Sequence, residues 1–169
     1  MQDMPKSGDS LQTLVETYAS LVYRLAYVRT GTRHDADDIF QEVFLRYVSS
    51  KPAFGDQEHE KAWFIRVTVN CCINLHKSAW RKKTAALSDQ PQYMQDMPDR
   101  MEYDDLKAAL ALLPEKSRTV IHLHYFEGMT AEDIAGAIRI PASSVRVILS
   151  RTRKKLKAYL TDKEVCAHV

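Results

Sequence analysis

Basic side chains cluster near the C-terminus, on a stretch whose hydrophobic spacing predicts a helix. Its apolar residues form one predicted buried stripe: Val145, Leu149, Leu156 and Leu160. Its basic residues lie mostly off that stripe: Arg146, Arg151, Arg153, Lys154, Lys155 and Lys157. Arginine and lysine neutralise DNA phosphates, and arginine also hydrogen-bonds to base edges in the major groove. The pattern indicates a nucleic-acid-binding helix, with a merely solvated charged face as the alternative.

A second, shorter helix is predicted immediately before the basic one. Thr130 and Asp133 have the spacing of a capping box, which marks a helix start. Pro141 opens the basic helix, where the N–H that proline lacks is not needed. Arg139 stands in the turn between the two helices, at a position where many such turns carry glycine. Two short helices joined by a tight turn are typical of a helix-turn-helix, whose second helix enters the major groove.

Charge is strongly segregated along the 169 residues, although the net charge is only +2. The charged side chains of residues 61–87 are all basic, those of 88–105 are acidic except for Arg100, and the C-terminal helix is basic again. A hydrophobic content of 45% supports a packed core, and only five glycines favour a helical chain. The charge along the chain therefore runs basic, acidic, basic, a pattern that the net charge does not reveal.

Residue patterns for catalysis or for a bound cofactor are missing from the sequence. It contains neither a glycine-rich phosphate loop nor a spaced Cys/His cluster. Cys166 and His168 would supply only two metal ligands. Cys71 and Cys72 are neighbours on a predicted helix, so their side chains diverge, and we expect buried thiols rather than a disulfide. We therefore expect no enzyme activity, no metal and no other cofactor.

The sequence also lacks targeting and membrane signals. The N-terminal residues have no apolar core of a signal peptide, and no stretch approaches the length of a membrane span. Three cysteines fit a reducing compartment. We expect a cytoplasmic protein without direct membrane insertion.

Hydrophobic periodicity predicts an all-α fold of two small helical domains joined by an acidic linker. The first domain spans residues 1–81, the linker 82–100, and the second domain, which contains the helix-turn-helix, 101–169. The linker loses helical periodicity and contains two prolines. Helices are predicted at 10–29, 35–48, 60–81, 101–113 and 114–127, before the two of the helix-turn-helix.

Three motifs, in this order along the chain, resemble segments of the bacterial sigma-70 family. Asp35–Phe44 (DADDIFQEVF) resembles the polymerase-binding helix of these factors. Ala62–Asn70 (AWFIRVTVN) resembles their promoter-opening helix. Leu113–Val120 (LPEKSRTV), with YFEG at 125–128 and DIA at 133–135, resembles their second promoter-binding domain. The motifs span nearly the whole chain, and the short two-domain layout resembles the extracytoplasmic-function (ECF) group.

This resemblance implies an alternative sigma factor that binds core RNA polymerase and promoter DNA. It also implies an anti-sigma factor as a partner, which could hold the protein at the inner membrane face. The acidic linker matches the segment that threads the RNA path of the polymerase.

The resemblance further assigns side chains to each partner. The polymerase-binding positions are Asp35, Asp38, Gln41 and Glu42. The positions for the −10-type promoter element are Phe54, Arg66, Asn70, Asn74 and Lys77, with Phe54 walling a pocket for a flipped base. The positions for the −35-type element are Ser143, Ser144, Arg146, Val147, Ser150, Arg151 and Arg153. Core positions on the promoter-opening helix are Trp63, Ile65, Val69 and Ile73.

The recognition helix departs from the usual family pattern. Ser143–Ser144 replaces a Gly-Thr start, and Ile148 stands where an arginine is common. We therefore expect a −35-type sequence that differs from common ones.

Two other functions compete with this interpretation. A stand-alone helix-turn-helix regulator would bind duplex DNA without polymerase. A thiol redox sensor would use Cys71, Cys72 or Cys166.

Overall fold

The computed structural model describes residues 7–83 and 104–167, with side chains for 11–78 and 108–162. Seven helices occupy these ranges: α1 Ser7–Thr30, α2 Arg33–Ser50, α3 Gln57–Lys83, α4 Asp104–Ala111, α5 Glu115–Tyr125, α6 Ala131–Ile138 and α7 Ala142–Ala167. The prediction of an all-α chain is confirmed. Two compact units divide the chain, residues 1–89 and 90–169. The predicted linker beyond Lys83 lies outside the described residues.

In the first unit, α1, α2 and α3 all pack against one another. Phe64 of α3 is fully buried and forms the centre of an aromatic cluster. Its ring centroid lies 4.5 Å from that of Tyr18 and 5.5 Å from that of Phe44. Tyr47 and Trp63 complete the cluster, with ring centroids 5.6 and 5.0 Å from Phe64. Because these rings come from all three helices, their burial holds the unit together.

The junction between α1 and α2 consists of two residues, Gly31 and Thr32. Gly31 has φ 77°, which glycine adopts without a steric penalty. Thr32 is the N-cap of α2, and its hydroxyl accepts a hydrogen bond from the backbone N–H of Asp35. Asp35 therefore lies in the first turn of α2, where its negative charge complements the helix dipole.

In the second unit, α5 packs against α6 and α7, and α4 packs against α7. The capping box predicted at Thr130 and Asp133 is confirmed, with both of its hydrogen bonds present. Arg139 ends α6 in the left-handed region, with φ 55°. Pro141 immediately precedes α7, and its carbonyl oxygen accepts the hydrogen bond from Val145 N–H. The two helices and the turn between them therefore form the helix-turn-helix that the sequence predicts.

Several residues differ from the predicted core, and three that were expected to be buried are half-buried: Trp63, Leu156 and Leu160. Ile73 was expected to be buried but is 38% exposed, because it lies three residues from exposed Asn70 and shares the polar side of α3. Thr152, which the apolar pattern does not include, is 2% exposed and continues the stripe of Val145 and Leu149. A threonine at helical spacing can occupy such a stripe when its hydroxyl bonds to the backbone of its own helix.

The Tyr18 hydroxyl gives the first unit a pH dependence at alkaline pH. Tyr18 donates a hydrogen bond to Glu60 Oε2 at 3.0 Å, and its burial together with this carboxylate raises its pKa from 10.0 to about 12. An unfolded chain ionises its tyrosines near pH 10, whereas folded Tyr18 stays neutral to about pH 12. The stabilisation is therefore complete below pH 10 and is lost as the pH rises from 10 to 12.

We expect the midpoint of thermal unfolding to fall between pH 10 and 12, and to fall less steeply in Tyr18→Phe. The measurement is circular dichroism of both proteins across this pH range. Burial also raises the pKa of Tyr47, so part of the decline remains in the variant. Identical declines in the two proteins would show that Tyr18 is not the titrating group.

Candidate nucleic-acid and protein interfaces

The residues predicted for the −35-type element share the outer side of α7. Val145, Leu149 and Thr152 are buried, which turns the intervening positions towards solvent. Of the seven predicted residues, Ser144 is half-buried. The other six are exposed: Ser143, Arg146, Val147, Ser150, Arg151 and Arg153. An exposed helix surface of serine and arginine can hydrogen-bond to both base edges and phosphates.

Arg146 forms an ion pair with Glu132, fourteen residues earlier in the chain on α6. Both side chains are 61% exposed. An exposed pair of this kind stabilises a fold by about 0–1 kcal/mol, so its main effect is to orient the guanidinium across the helix-turn-helix. Sequence reasoning missed Glu132, because no periodicity relates a residue on α6 to one on α7.

Arg153 is held by two aromatic residues at the end of α5. Its Nε donates to the Tyr125 hydroxyl oxygen at 2.6 Å, and its Cζ lies 5.6 Å from the centre of the Tyr125 ring. Its Nη2 lies 3.3 Å from His124 Nε2. The guanidinium therefore bridges α5 and α7 while its side chain remains exposed.

The residues predicted for the −10-type element lie on one side of α3. Asn70, Asn74 and Lys77 are exposed, and Arg66 is half-buried, at spacings of four, four and three residues. Exposed Ile73 belongs to the same side and adds an apolar contact that the sequence analysis had assigned to the core. The surface combines two amides and two cations, which suits bases and phosphates together.

Phe54 lies in the loop before α3 and is half-buried. Its ring packs edge-on against Trp63, with a centroid distance of 6.0 Å. Asp56 anchors the end of this loop, because its Oδ1 accepts from His59 N at 2.8 Å and lies 2.7 Å from His59 Nδ1. These bonds, the backbone one first, lower the pKa of Asp56. The loop is thus attached to the start of α3 at both Phe54 and Asp56.

The polymerase-binding positions predicted on α2 form an acidic, exposed surface. Asp38, Gln41 and Glu42 are exposed, and Asp35 is half-buried at the helix start. Glu42 Oε1 accepts from Arg46 Nε at 2.6 Å, a bond that raises the pKa of Arg46. Asp38 lies 3.6 Å from His34 Nε2. The charge of Glu42 is therefore partly balanced within its own helix.

A shallow groove of about 560 Å³ runs beside this acidic surface, between α2 and α3. Its lining residues are Glu42, Leu45, Arg46, Ser49, Ser50, Trp63 and Val67. Leu45 is 61% exposed and Val48 47%, and sequence reasoning missed both as interface candidates. The sequence did contain a signal for them. Both residues are apolar, yet their helical positions lie off the buried side of α2, which contains Ala36, Ile39 and Val43.

The thiols are inaccessible where the structure describes their side chains. Cys71 and Cys72 are buried thiols that are not joined in a disulfide, as predicted. Burial raises the pKa of Cys71, which disfavours the reactive thiolate. The side chain of Cys166 lies outside the described residues. The geometry at Cys71 and Cys72 therefore weighs against a thiol redox sensor.

Within residues 7–83 and 104–167, no helix is both long and apolar enough to cross a membrane. Among the side chains described, no group of three or more His, Cys, Asp or Glu residues could hold a metal ion.

Comparison with known families accounts for both units. Residues 14–82 match the family described as sigma-70 region 2, and residues 103–156 match sigma-70 region 4. Region 2 contains the acidic surface of α2 and the polar side of α3, and region 4 contains the helix-turn-helix.

Relatives extend the match along most of the chain. The ECF RNA polymerase sigma factor SigE of Mycolicibacterium smegmatis is 32% identical over 159 residues, which cover 89% of this chain and 62% of SigE. The ECF RNA polymerase sigma factor SigW of Bacillus subtilis is 27% identical over 172 residues, which cover 91% of this chain and 90% of SigW. The chain thus spans less than two thirds of SigE and most of SigW.

Solved structures share the fold at lower identity. The sigma factor RpoE of Bartonella quintana, in complex with the anti-sigma factor NepR, has a TM-score of 0.76 at 17% identity, covering 90% of this chain and 97% of that one. CnrH, in complex with the cytosolic domain of CnrY, has a TM-score of 0.67 at 22% identity, covering 92% and 90%.

An all-α chain with a region 2 unit, followed by a helix-turn-helix unit of region 4, defines the sigma class of transcription proteins. The chain belongs to the sigma-70 family, in its ECF group. A stand-alone helix-turn-helix regulator is not favoured, because it leaves the region 2 match unexplained.

Proposed function

We propose that this protein is an alternative sigma subunit that binds core RNA polymerase and directs it to a small set of promoters. The observation that carries the proposal is the coincidence of each matched sigma-70 region with one compact unit. The protein itself catalyses no reaction and acts in the cytoplasm.

Each unit has its own part in this proposal. In the first, α2 docks on polymerase through Asp38, Gln41 and Glu42, supported by the neighbouring apolar residues Leu45 and Val48. The polar side of α3 and the Phe54 loop hold the −10-type element as its strands separate. In the second unit, the outer side of α7 reads the −35-type duplex. The acidic linker, 82–100, occupies the RNA path of the polymerase until the transcript displaces it.

We further propose an anti-sigma protein as the regulator of this chain. The support is that similar folds are seen in complex with anti-sigma factor NepR and with the cytosolic domain of CnrY. A partner with a membrane anchor would hold the sigma factor at the inner membrane face.

Run-off transcription tests the proposal as a whole. Core polymerase is incubated with the full chain and a library of genomic fragments, and the transcript start sites are sequenced. We expect discrete starts that depend on the added chain and share two upstream elements. Duplex binding by the chain without any chain-dependent transcript would instead identify a stand-alone regulator.

The acidic surface of α2 provides the first functional prediction. Reversal of charge in Asp38→Lys/Glu42→Lys should weaken binding to core polymerase by roughly 1–3 kcal/mol, because complementary charge is replaced by repulsion. Binding is measured by titration of labelled chain with core polymerase, alongside circular dichroism to confirm folding.

Glu16→Lys is the control for a charge reversal elsewhere in the unit, since Glu16 is an exposed acid on α1. It should bind core polymerase as the unaltered chain does. Full affinity in the double reversal would remove α2 from the docking surface.

Asn70 provides the second functional prediction. An exposed amide on α3 can hydrogen-bond to the edge of an unpaired base, and flipping that base costs a few kcal/mol. Asn70→Ala should reduce transcription from a duplex promoter more than from a pre-melted bubble that lacks the specific base. Gln12→Ala, an exposed amide on α1, is the control. If Asn70→Ala leaves the base preference in the −10-type element unchanged, Asn70 is structural.

Arg146 and Lys155, two exposed basic residues of α7, provide the third functional prediction. Arg146 lies in the first turns of α7, which enter the groove in a helix-turn-helix. Arg146→Ala should cost about 1–3 kcal/mol on the preferred −35-type duplex and relax discrimination at one or two base pairs. Lys155→Ala should weaken binding to all duplexes alike. It should also make the plot of log affinity against log salt concentration shallower by about one unit.

Binding of the full chain to matched and mutated duplexes at several salt concentrations separates these two effects. If Arg146→Ala lowers the affinity for all duplexes equally, Arg146 contacts the DNA backbone and not the bases. Base reading would then fall to Ser143, Ser144, Val147 or Ser150.

A further inference from the structure

We infer that Tyr125 is part of a phosphate-binding subsite for the DNA backbone, in which it holds Arg153 in position before DNA arrives. This inference rests on the proposed function, because it concerns the −35-type duplex that α7 would bind. It adds residues of α5 to a surface that would otherwise belong to α7 alone.

The first support is the way the Arg153 guanidinium is held. Nε donates to the Tyr125 hydroxyl at 2.6 Å, and Nη2 faces His124 Nε2 at 3.3 Å. A guanidinium has five N–H donors, and these contacts use two of them. Three donors of Arg153 therefore remain for a ligand, while Tyr125 acts by holding the guanidinium in place.

The second support is that His124 is itself fixed in one tautomer. Its Nδ1 lies 2.9 Å from the carbonyl oxygen of Met129, so in neutral histidine Nδ1 carries the ring proton. Nε2 is then an acceptor and receives Arg153 Nη2–H. The His124 ring packs edge-on against Tyr125, with centroids 4.9 Å apart, so the three side chains support one another.

The third support is the position of Arg153 relative to Arg146. The two residues are seven apart, so they share one side of α7 and are separated by about 10 Å along its axis. The major groove is about 12 Å wide. If Arg146 reaches base edges, Arg153 lies near the phosphates that border the groove.

The fourth support is the charge and exposure of the surroundings. Tyr125 is 57% exposed, and Arg153 is exposed as well. Glu127, the acidic residue nearest to Tyr125 in sequence, is only 9% exposed and lies 3.5 Å from His122 Nε2. Residues 134–161 contain no acid at all. A phosphate at Arg153 therefore meets a positively charged helix, and the exposed acid Glu132 of α6 is paired with Arg146 at the start of α7.

Full-chain binding to a mixed-sequence duplex tests the inference, because a phosphate contact needs no particular base sequence. Arg153→Ala should make the plot of log affinity against log salt shallower by about 0.9. Tyr125→Phe keeps the ring but loses the hydroxyl. It should lower affinity by about two- to tenfold on all duplexes, which is the effect of having to order one arginine side chain on binding. In Tyr125→Phe/Arg153→Ala, affinity should equal that of Arg153→Ala alone.

Lys116→Ala is the control for net charge, since exposed Lys116 lies in the first turn of α5, at the far end from Tyr125. Its salt slope should match that of the unaltered chain. Additive losses in the double variant, or an unchanged salt slope in Arg153→Ala, would make the contact a purely structural tie between α5 and α7. Tighter binding by Tyr125→Phe would show that Tyr125 holds Arg153 away from DNA. Any one of these three results overturns the inference.

The same series separates failure of the inference from failure of the proposed function. If the unaltered chain drives transcription by core polymerase, but the Tyr125 and Arg153 variants give the results expected of a purely structural contact, only the subsite is rejected. If the unaltered chain neither binds duplexes nor supports transcription, the proposed function and the subsite are rejected together.

Discussion

Burial of Val145, Leu149 and Thr152 sets the rotation of α7 about its own axis, and the rest of the second unit depends on that rotation. These side chains are at most 5% exposed, and α7 packs on α4, α5 and α6. Rotation by even one residue would move the buried stripe into solvent at a cost of several kcal/mol, given about 1.5–3 kcal/mol for each large apolar side chain. The serines and arginines between these positions therefore face outward as a consequence of packing.

The exposed arginines of α7 are oriented from outside their own helix. Arg146 pairs with Glu132 on α6, and Arg153 is held by Tyr125 and His124 on α5. An arginine loses considerable rotamer freedom when it binds a ligand, and a side chain already held by a neighbouring helix loses less. The helices around α7 thus support it from the buried side and also order part of its exposed side.

In the first unit, buried aromatic residues position the helices. Phe64 has Tyr18, Phe44, Tyr47 and Trp63 around it, and this cluster draws α1, α2 and α3 together. Because α2 and α3 meet here, the acidic surface of α2 and the groove beside Trp63 adjoin within one unit. The surfaces proposed for polymerase docking and for −10-type binding therefore lie on neighbouring helices of a single small core. The packing of Phe54 on Trp63 links the loop before α3 to that core.

The sequence by itself determined the all-α class, the helix-turn-helix and the outward side of α7. These features depend on local signals, namely periodicity, the capping box at Thr130 and the turn at Arg139, which neighbouring residues specify. Tertiary structure decided which side chains meet across helices. The pairing of Glu132 with Arg146 and the anchoring of Arg153 by Tyr125 join residues 14 and 28 positions apart. The exposure of Ile73, Leu45 and Val48 was also decided there. Residue type states only that such a side chain is apolar, and its burial depends on whether another helix packs over it.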